Sequence, residues 1–371
     1  MPQPNAHYLV IEESLSRDLE SLLQNHANYA GFGSFGPDLF YVKDAVHLGK
    51  FARTHPLDYA IVSDIMHWEG SFDFYCSMLD YIKNLDDAEK KDKLKAFAYG
   101  YYSHVVADSV FHPFVYRESE DNWRKHNKRS TFHNHKKIES IIDTYLLQER
   151  RNTDPYEFNY CGKIVCFNED DKVLDGDVFA LLNHCMAEIY KGGIFTSYSL
   201  DYDKFFSMYP NDGNHPINDA YHDFVLYTHE LFKWHVPLEL THIIDGLVPL
   251  RFLDENQKEK INLQKKRWHN SDNPEMPDYS VPELFDLSVK SMSKIILESE
   301  KFFSSNSREA KKFFAENSKN IVYLAENNNL DTGLPSAFNG ELAKIADDLG
   351  KTFEFGLDKL DEYYKTINAY D

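Results

Sequence analysis

Gly100-Tyr-Tyr-Ser-His104-Val-Val-Ala-Asp108-Ser-Val-Phe-His112-Pro113 sets two histidines and an aspartate at intervals of four residues. On an α-helix four residues turn the chain by about 400°, so the three side chains line one face with only slow drift. At about 1.5 Å rise per residue, His104 and His112 stand about 12 Å apart along the axis. Bonds to zinc are only about 2 Å long, so a single ion cannot be held by both ends of the row. One metal fits at His104 and Asp108 and a neighbour at His112, with Asp108 as the natural bridging carboxylate. The pattern therefore predicts a cluster of metals, which is catalytic equipment more often than structural. The surroundings (Ala96, Phe97, Ala98, Tyr99, Val105, Val106, Val110, Phe111) are apolar and aromatic. They predict a buried helix whose polar side chains need partners.

Chance accounts for the pairs but not for the row. In a chain with 17 histidines and 60 acidic residues, a histidine followed four residues later by an acid arises by accident about two or three times. Such pairs occur at His104/Asp108, His135/Glu139, His184/Glu188 and His235/Glu239. The full triplet is expected only about 0.1 times in such a composition, and it is present.

Length and composition set the outer limits. A chain of 371 residues can bury a large core and exceeds the usual size of one domain. The net charge of −20 speaks against nucleic acid as a partner, because phosphate backbones are held mainly by cationic surfaces. No apolar run approaches a membrane span, and the first 30 residues lack a basic stretch followed by an apolar one. The expectation is a soluble, cytoplasmic chain without a transmembrane segment, with export independent of a signal left open. Cys76, Cys161, Cys166 and Cys185 are few for this length and are read as free thiols; Cys161 and Cys166 lack zinc-ribbon spacing.

Periodicity predicts an all-α fold. Helical patterns run over 12–25, 58–85, 86–112, 132–149, 176–191 and 218–233, with Pro113 expected to end the third. Residues 30–38 read as a glycine-rich loop and 122–131 as a polar one. The stretch 158–167 is the best candidate for extended structure. Three regions follow: 1–257 as a catalytic domain, 258–279 as linker or surface loop, and 280–371 as a C-terminal helical extension. The last opens on Ser280-Val-Pro-Glu283, a capping box with proline in the first turn, and continues with helices near 307–327 and 337–367. No histidine follows His269, which argues against a histidine site in the extension.

Other segments supply further ligand types. His135 and Glu139 sit one turn apart with Asp143 a turn beyond; Asp38 follows Gly36-Pro37; His67 follows Met66; His7 lies near the start. Read in order, a histidine, Gly-Pro-Asp, Met-His, Gly-x3-His-x3-Asp-x3-His-Pro and His-x3-Glu-x3-Asp resemble the zinc-dependent phospholipase C family. Its fold is shared with the S1/P1 nucleases, so the resemblance implies a phospholipase C/P1 nuclease-like helical core. It spans roughly residues 5–147. By position it implies Asp38, His67, His104 and Asp108 around one zinc and His112, His135 and Glu139 around a second. His7 would join Asp108 at a third. The familiar secreted members complete that third site with an N-terminal tryptophan, which this chain lacks. Two zinc sites follow, and the third is left open.

The resemblance also implies a reaction. Clustered zinc lowers the pKa of water and neutralises phosphoryl charge during in-line displacement. Asp38 is the candidate to orient or deprotonate the attacking water. The expected substrate is a phospholipid, met at a membrane surface, cleaved to diacylglycerol and a phosphorylated head group. A nuclease or phosphomonoesterase on the same scaffold is the alternative, as is a non-catalytic, metal-stabilised helical protein. Phe32, Phe35, Phe40, Tyr41 and Trp68 are candidates either for a lipid pocket or for core packing. A second group, His222, His229, His235 and His242, lacks accompanying acids and is read as packed or surface histidines.

Overall fold

The computed structural model describes residues 4–15, 19–41, 60–119, 129–158, 163, 174–195, 200–203, 206, 215–233, 250–266, 268, 278–318, 321, 324, 327–331 and 333–335. Helices dominate them. In chain order they are α1 (Pro4–Ser14), α2 (Glu20–Gly33), α3 (Ala60–Trp68), α4 (Ser71–Lys83), α5 (Ala88–Glu118) and α6 (Arg129–Arg151). Then come α7 (Gly176–Ile189), α8 (Pro216–Lys233), α9 (Glu255–Glu259), α10 (Val281–Ser304) and α11 (Ala310–Asn317). The expectation of an all-α fold is met, apart from a two-residue antiparallel ladder that sequence reading missed. There β1 (Asn328–Asn329) pairs with β2 (Leu334–Pro335). No helix among the described residues is long and apolar enough to cross a membrane.

The helix carrying the triplet is the axis of the molecule. Asp87 starts α5 by accepting from the N–H groups of Glu89 and Lys90, a standard N-cap. Every residue from 96 to 116 is buried, so α5 is covered on all sides rather than on one stripe. Helices α1, α2, α4, α6 and α10 all pack against it. The side chains of Val281, Leu284, Phe285, Ile295 and Phe302 are fully buried, so the first helix of the C-terminal region shares the core with α1 and α5. Within 258–279, Ile261 and Trp268 are likewise buried, and Trp268 meets Phe114 edge to face at 5.4 Å.

Several boundaries differ from those the sequence suggested. Pro113 does not end its helix; α5 runs on to Glu118. Proline at 113 removes the N–H that would reach the carbonyl of Ser109. Gly333 of the β1–β2 hairpin lies close over this carbonyl, so that an added Cβ would be 2.3 Å from its oxygen. The glycine loop begins later than expected, since α2 continues to Gly33. Gly33 and Gly100 face each other across the α2–α5 crossing: a Cβ at Gly33 would stand 2.2 Å from the Phe97 oxygen, and one at Gly100 2.2 Å from the Ala30 oxygen. Close backbone approach, not flexibility, explains the glycines.

The pattern over 12–25 belongs to two helices, because α1 stops at Ser14, whose hydroxyl bonds back to the Val10 carbonyl. That over 58–85 is broken at Gly70, which adopts φ 74° between α3 and α4. Among the described residues, the expected helix over 307–327 is limited to Ala310–Asn317. Residues 159–162 and 164–167 of the stretch expected to be extended, Cys161 and Cys166 among them, residues 122–128 of the polar loop and the helix at 337–367 lie outside the described residues.

Candidate metal centre

Five elements bring the eight candidate ligands to one buried place. His7 comes from the first turns of α1, Asp38 from the 3-10 turn Gly36–Phe40, His67 from the end of α3, His104, Asp108 and His112 from α5, and His135 and Glu139 from α6. Each is no more than 4% exposed. Asp108 sits in the middle. One of its oxygens lies 3.3 Å from His7 Nε2 and 3.8 Å from His112 Nε2. The other lies 3.0 Å from His104 Nε2 and 3.5 Å from His67 Nε2. Asp38 closes the His67–His104 side, 3.1 Å from His67 and 3.7 Å from His104. On the far side Glu139 lies 2.8 Å from His135 Nε2 and 3.8 Å from His112 Nε2.

Main-chain carbonyls fix the rings. Nδ1 of His67 bonds to the carbonyl of Ser63 at 2.7 Å, that of His104 to Ser34 at 3.1 Å, and that of His112 to Leu330 at 3.0 Å. A carbonyl only accepts, so each Nδ1 carries the proton and each Nε2 points to the carboxylates. In the neutral ring that places a lone pair against a carboxylate lone pair. Only a positive charge between them, a proton or a metal, makes the contact favourable.

The remaining contacts hold the elements in register. Ser63 ties the Asp38 turn to α3: its hydroxyl donates to the Pro37 carbonyl at 2.6 Å and accepts from Phe40 N–H at 3.2 Å. Asp143 ties α1 to α6, accepting from the Asn5 amide at 2.5 Å and the Ala6 N–H at 2.6 Å, next to His7. Burial pushes the Asp143 carboxyl up to about 7, against those two hydrogen bonds.

The charges respond as a coupled set. Burial works against the Asp108 charge, but the surrounding His112, His104 and His7 hold its carboxyl well below the usual range. Glu139 is held low in the same way, with Lys136 as the leading opponent of burial. Burial alone would discharge His67, yet the adjacent Asp108 and Asp38 carboxylates outweigh it and lift the ring to about 10. Burial wins at His135, which falls to about 3, and at His7, which is also lowered.

A metal suits this place. Both oxygens of Asp38 and of Asp108, Nε2 of His104 and both ring nitrogens of His7 are buried with no hydrogen-bond partner among the described residues. Such atoms cost about 1–3 kcal/mol each when left so. Ligands about 2 Å from a tetrahedral ion stand about 3.3 Å from one another, and the contacts above straddle that value. Three groups have their ligand atoms close enough to hold an ion: Asp38/His67/His104, His112/His135/Glu139 and His7/His104/Asp108. His104 Nε2 has one lone pair, so the first and third groups compete for it. Imidazole with carboxylate favours zinc over magnesium or calcium.

The other candidates are placed elsewhere. His184 and Glu188 form an exposed surface pair at 3.3 Å. His222 is half exposed beside Asp223; the side chain of His229, and His235 and His242 altogether, lie outside the described residues. Phe32, Phe35, Phe40 and Trp68 are core residues: Phe32 packs on Phe97, Tyr221 and Phe224, and Phe35 on Phe224. Tyr41 donates its hydroxyl to Asp64.

Buried imidazoles and carboxylates gathered in three such groups on a helical scaffold suit the binding of zinc. The family model for zinc dependent phospholipase C matches residues 6–271. The chain belongs to that family. No curated protein and no solved structure gives a match.

Proposed function

We propose that the chain hydrolyses glycerophospholipid as a phospholipase C, releasing diacylglycerol and a phosphorylated head group. The observation that carries this reading is the division of the Asp108 carboxylate, one oxygen toward His67 and His104 and the other toward His7 and His112. The family membership supports the reaction class. In this reading Asp38, His67, His104 and Asp108 hold one zinc and His112, His135 and Glu139 a second, with His7 and Asp108 left for a third.

Zinc bound there lowers the pKa of water and offsets negative charge on the phosphoryl oxygens. The chain's residues then have distinct tasks. Asp38, on a 3-10 turn held by Ser63, orients the attacking water and accepts its proton. Asp108 keeps its charge and spaces the two halves of the site. The water oxygen would bond to phosphorus as the bond to the glycerol oxygen breaks, and that oxygen would leave with the proton that Asp38 took from the water. The burial of every ligand keeps bulk water from competing for the charges.

Metal analysis of protein purified without chelators, joined to a substrate panel, tests this. Zinc with hydrolysis of phosphatidylcholine or another phospholipid is the expected result. Activity confined to single-stranded nucleic acid or nucleotide monoesters would reassign the substrate, and protein free of zinc would defeat the proposal.

A further inference from the structure

Beyond the family match, at residues 327–335, the chain returns to the metal centre. Leu330 donates its N–H to the carbonyl of His67 at 2.8 Å, and its own carbonyl accepts from His112 Nδ1 at 3.0 Å. The backbone of one residue thus holds two ligand residues from different helices and opposite sides of Asp108. Asp331 adds a second grip: it accepts from Trp68 Nε1 at 3.0 Å and from Tyr116 Oη at 2.8 Å, and the Asp331 oxygen that meets Tyr116 lies 3.4 Å from His112 Nδ1.

The segment is itself pinned down. Asn327 Oδ1 accepts from the N–H groups of Phe72 and Asp73, at 2.9 Å each, at the start of α4. Asn328 exchanges hydrogen bonds with Ser71, and β1 pairs with β2. Gly333, at φ 67°, seats the turn on the Ser109 carbonyl that Pro113 leaves open in α5. The proline within the ligand helix and the glycine in the hairpin are therefore complementary halves of one contact.

We infer that the β1–β2 hairpin is an outer clamp of the His112/His135/Glu139 site, with Leu330 and Asp331 as positioning residues that fix the tautomer and aim of His112. An imidazole whose Nδ1–H is held by a carbonyl, with a carboxylate beside it, is a better and better-aimed ligand than a free one. This inference rests on the reading of the centre as a zinc site.

Zinc competition with a chromophoric chelator on the full-length chain tests it, alongside visible spectra of the cobalt-substituted protein. Asp331→Asn can still accept from Trp68 and pair with Tyr116, but it removes the charge beside His112. Gly333→Ala places a methyl group against the Ser109 carbonyl. The expected result for Asp331→Asn is zinc binding weakened about tenfold or more, an altered cobalt spectrum and, in the metal-free protein, an unchanged thermal midpoint. The weakened ion should be the one that His135→Ala abolishes. Gly333→Ala should weaken the same ion. Zinc affinities within twofold of the parent in both variants would overturn the clamp, as would uniform loss at every site together with a lowered midpoint of the metal-free protein. Parent protein that bound no zinc would instead defeat the underlying reading, and the clamp with it.

Discussion

His104 Nε2 lies 3.0 Å from a carboxylate oxygen of Asp108, one turn further along the same helix, and both atoms are fully buried. The His104 ring is fixed from behind by the Ser34 carbonyl, so it cannot rotate away. This pair lies at the middle of the proposed centre, and Asp108 serves both sides of it. Asp108→Asn keeps the shape but removes the charge. Phospholipid hydrolysis should fall at least about a hundredfold, with at least one zinc lost by elemental analysis. Hydrolysis of phosphatidylcholine at the parent rate by that variant would sink the mechanism.

Asp38 is separable from Asp108. It stands on a short 3-10 turn rather than on α5, and its two oxygens face His67 and His104 without another partner among the described residues. Asp38→Asn should lower kcat by about 10²–10⁴, the range for a lost general base. The ion at His112/His135/Glu139 should stay bound. If kcat were retained while only zinc affinity dropped, Asp38 would be a ligand and nothing more.

The sequence made the centre legible because its ligands recur at helical spacing. His104, Asp108 and His112 announce a common face, as do His135 and Glu139, and these five meet in space. Asp38 and His67 have no local period and were reached only through the family pattern. What holds the rings was not legible at all: the carbonyls of Ser34, Ser63 and Leu330 belong to main chain, which carries no residue signal. The hairpin escaped for a related reason. It is two residues per strand, too short for an alternating pattern, and it docks through backbone atoms from more than 200 residues away in sequence. Pro113 misled because proline only disfavours the helix around it, and α5, packed against α1, α2, α4, α6 and α10, runs through it to Glu118.

The α2–α5 crossing gives a test of position rather than chemistry. Gly100 lets α5 meet the backbone of α2 at Ala30 and Ser34, which sets the carbonyl that His104 uses. Gly100→Ala should destabilise the fold by about 1–3 kcal/mol through overpacking, read by chemical denaturation. Activity in the folded fraction should fall as well, because separating the helices moves the Ser34 carbonyl away from His104. Wild-type activity in a clearly destabilised variant would detach the crossing from the site.

Chelation should weaken the whole molecule. The centre joins α1, the Asp38 turn, α3, α5 and α6, so an ion bound there opposes unfolding by mass action. At free zinc about a thousand times its Kd, the stabilisation is about 4 kcal/mol. The thermal midpoint should drop in EDTA and recover with zinc but not with magnesium, given the imidazole ligands. A midpoint indifferent to chelator would mean that the buried carboxylates and imidazoles are satisfied without metal.

Glu283 supplies a pH test well away from the ligands. It accepts from the Ser280 N–H at 3.0 Å and from Lys265 at 2.6 Å, and the lysine and these cap bonds hold its carboxyl at about 2, against an ordinary 4.5. A carboxyl depressed in the folded state adds stability that is complete above its unfolded pKa and is lost as pH falls through the folded one. The contribution should therefore be full above about pH 4.5 and gone near pH 2. Glu283→Gln should cost about 0.5 kcal/mol at pH 7, the scale of an exposed cap with an ion pair. Because α10 packs on α1 and α5, that loss should appear in the global unfolding transition rather than as local fraying. The gap between parent and variant should close as the pH is lowered from 5 to 2; a gap constant across that range would show that the carboxylate's charge contributes nothing to the start of α10.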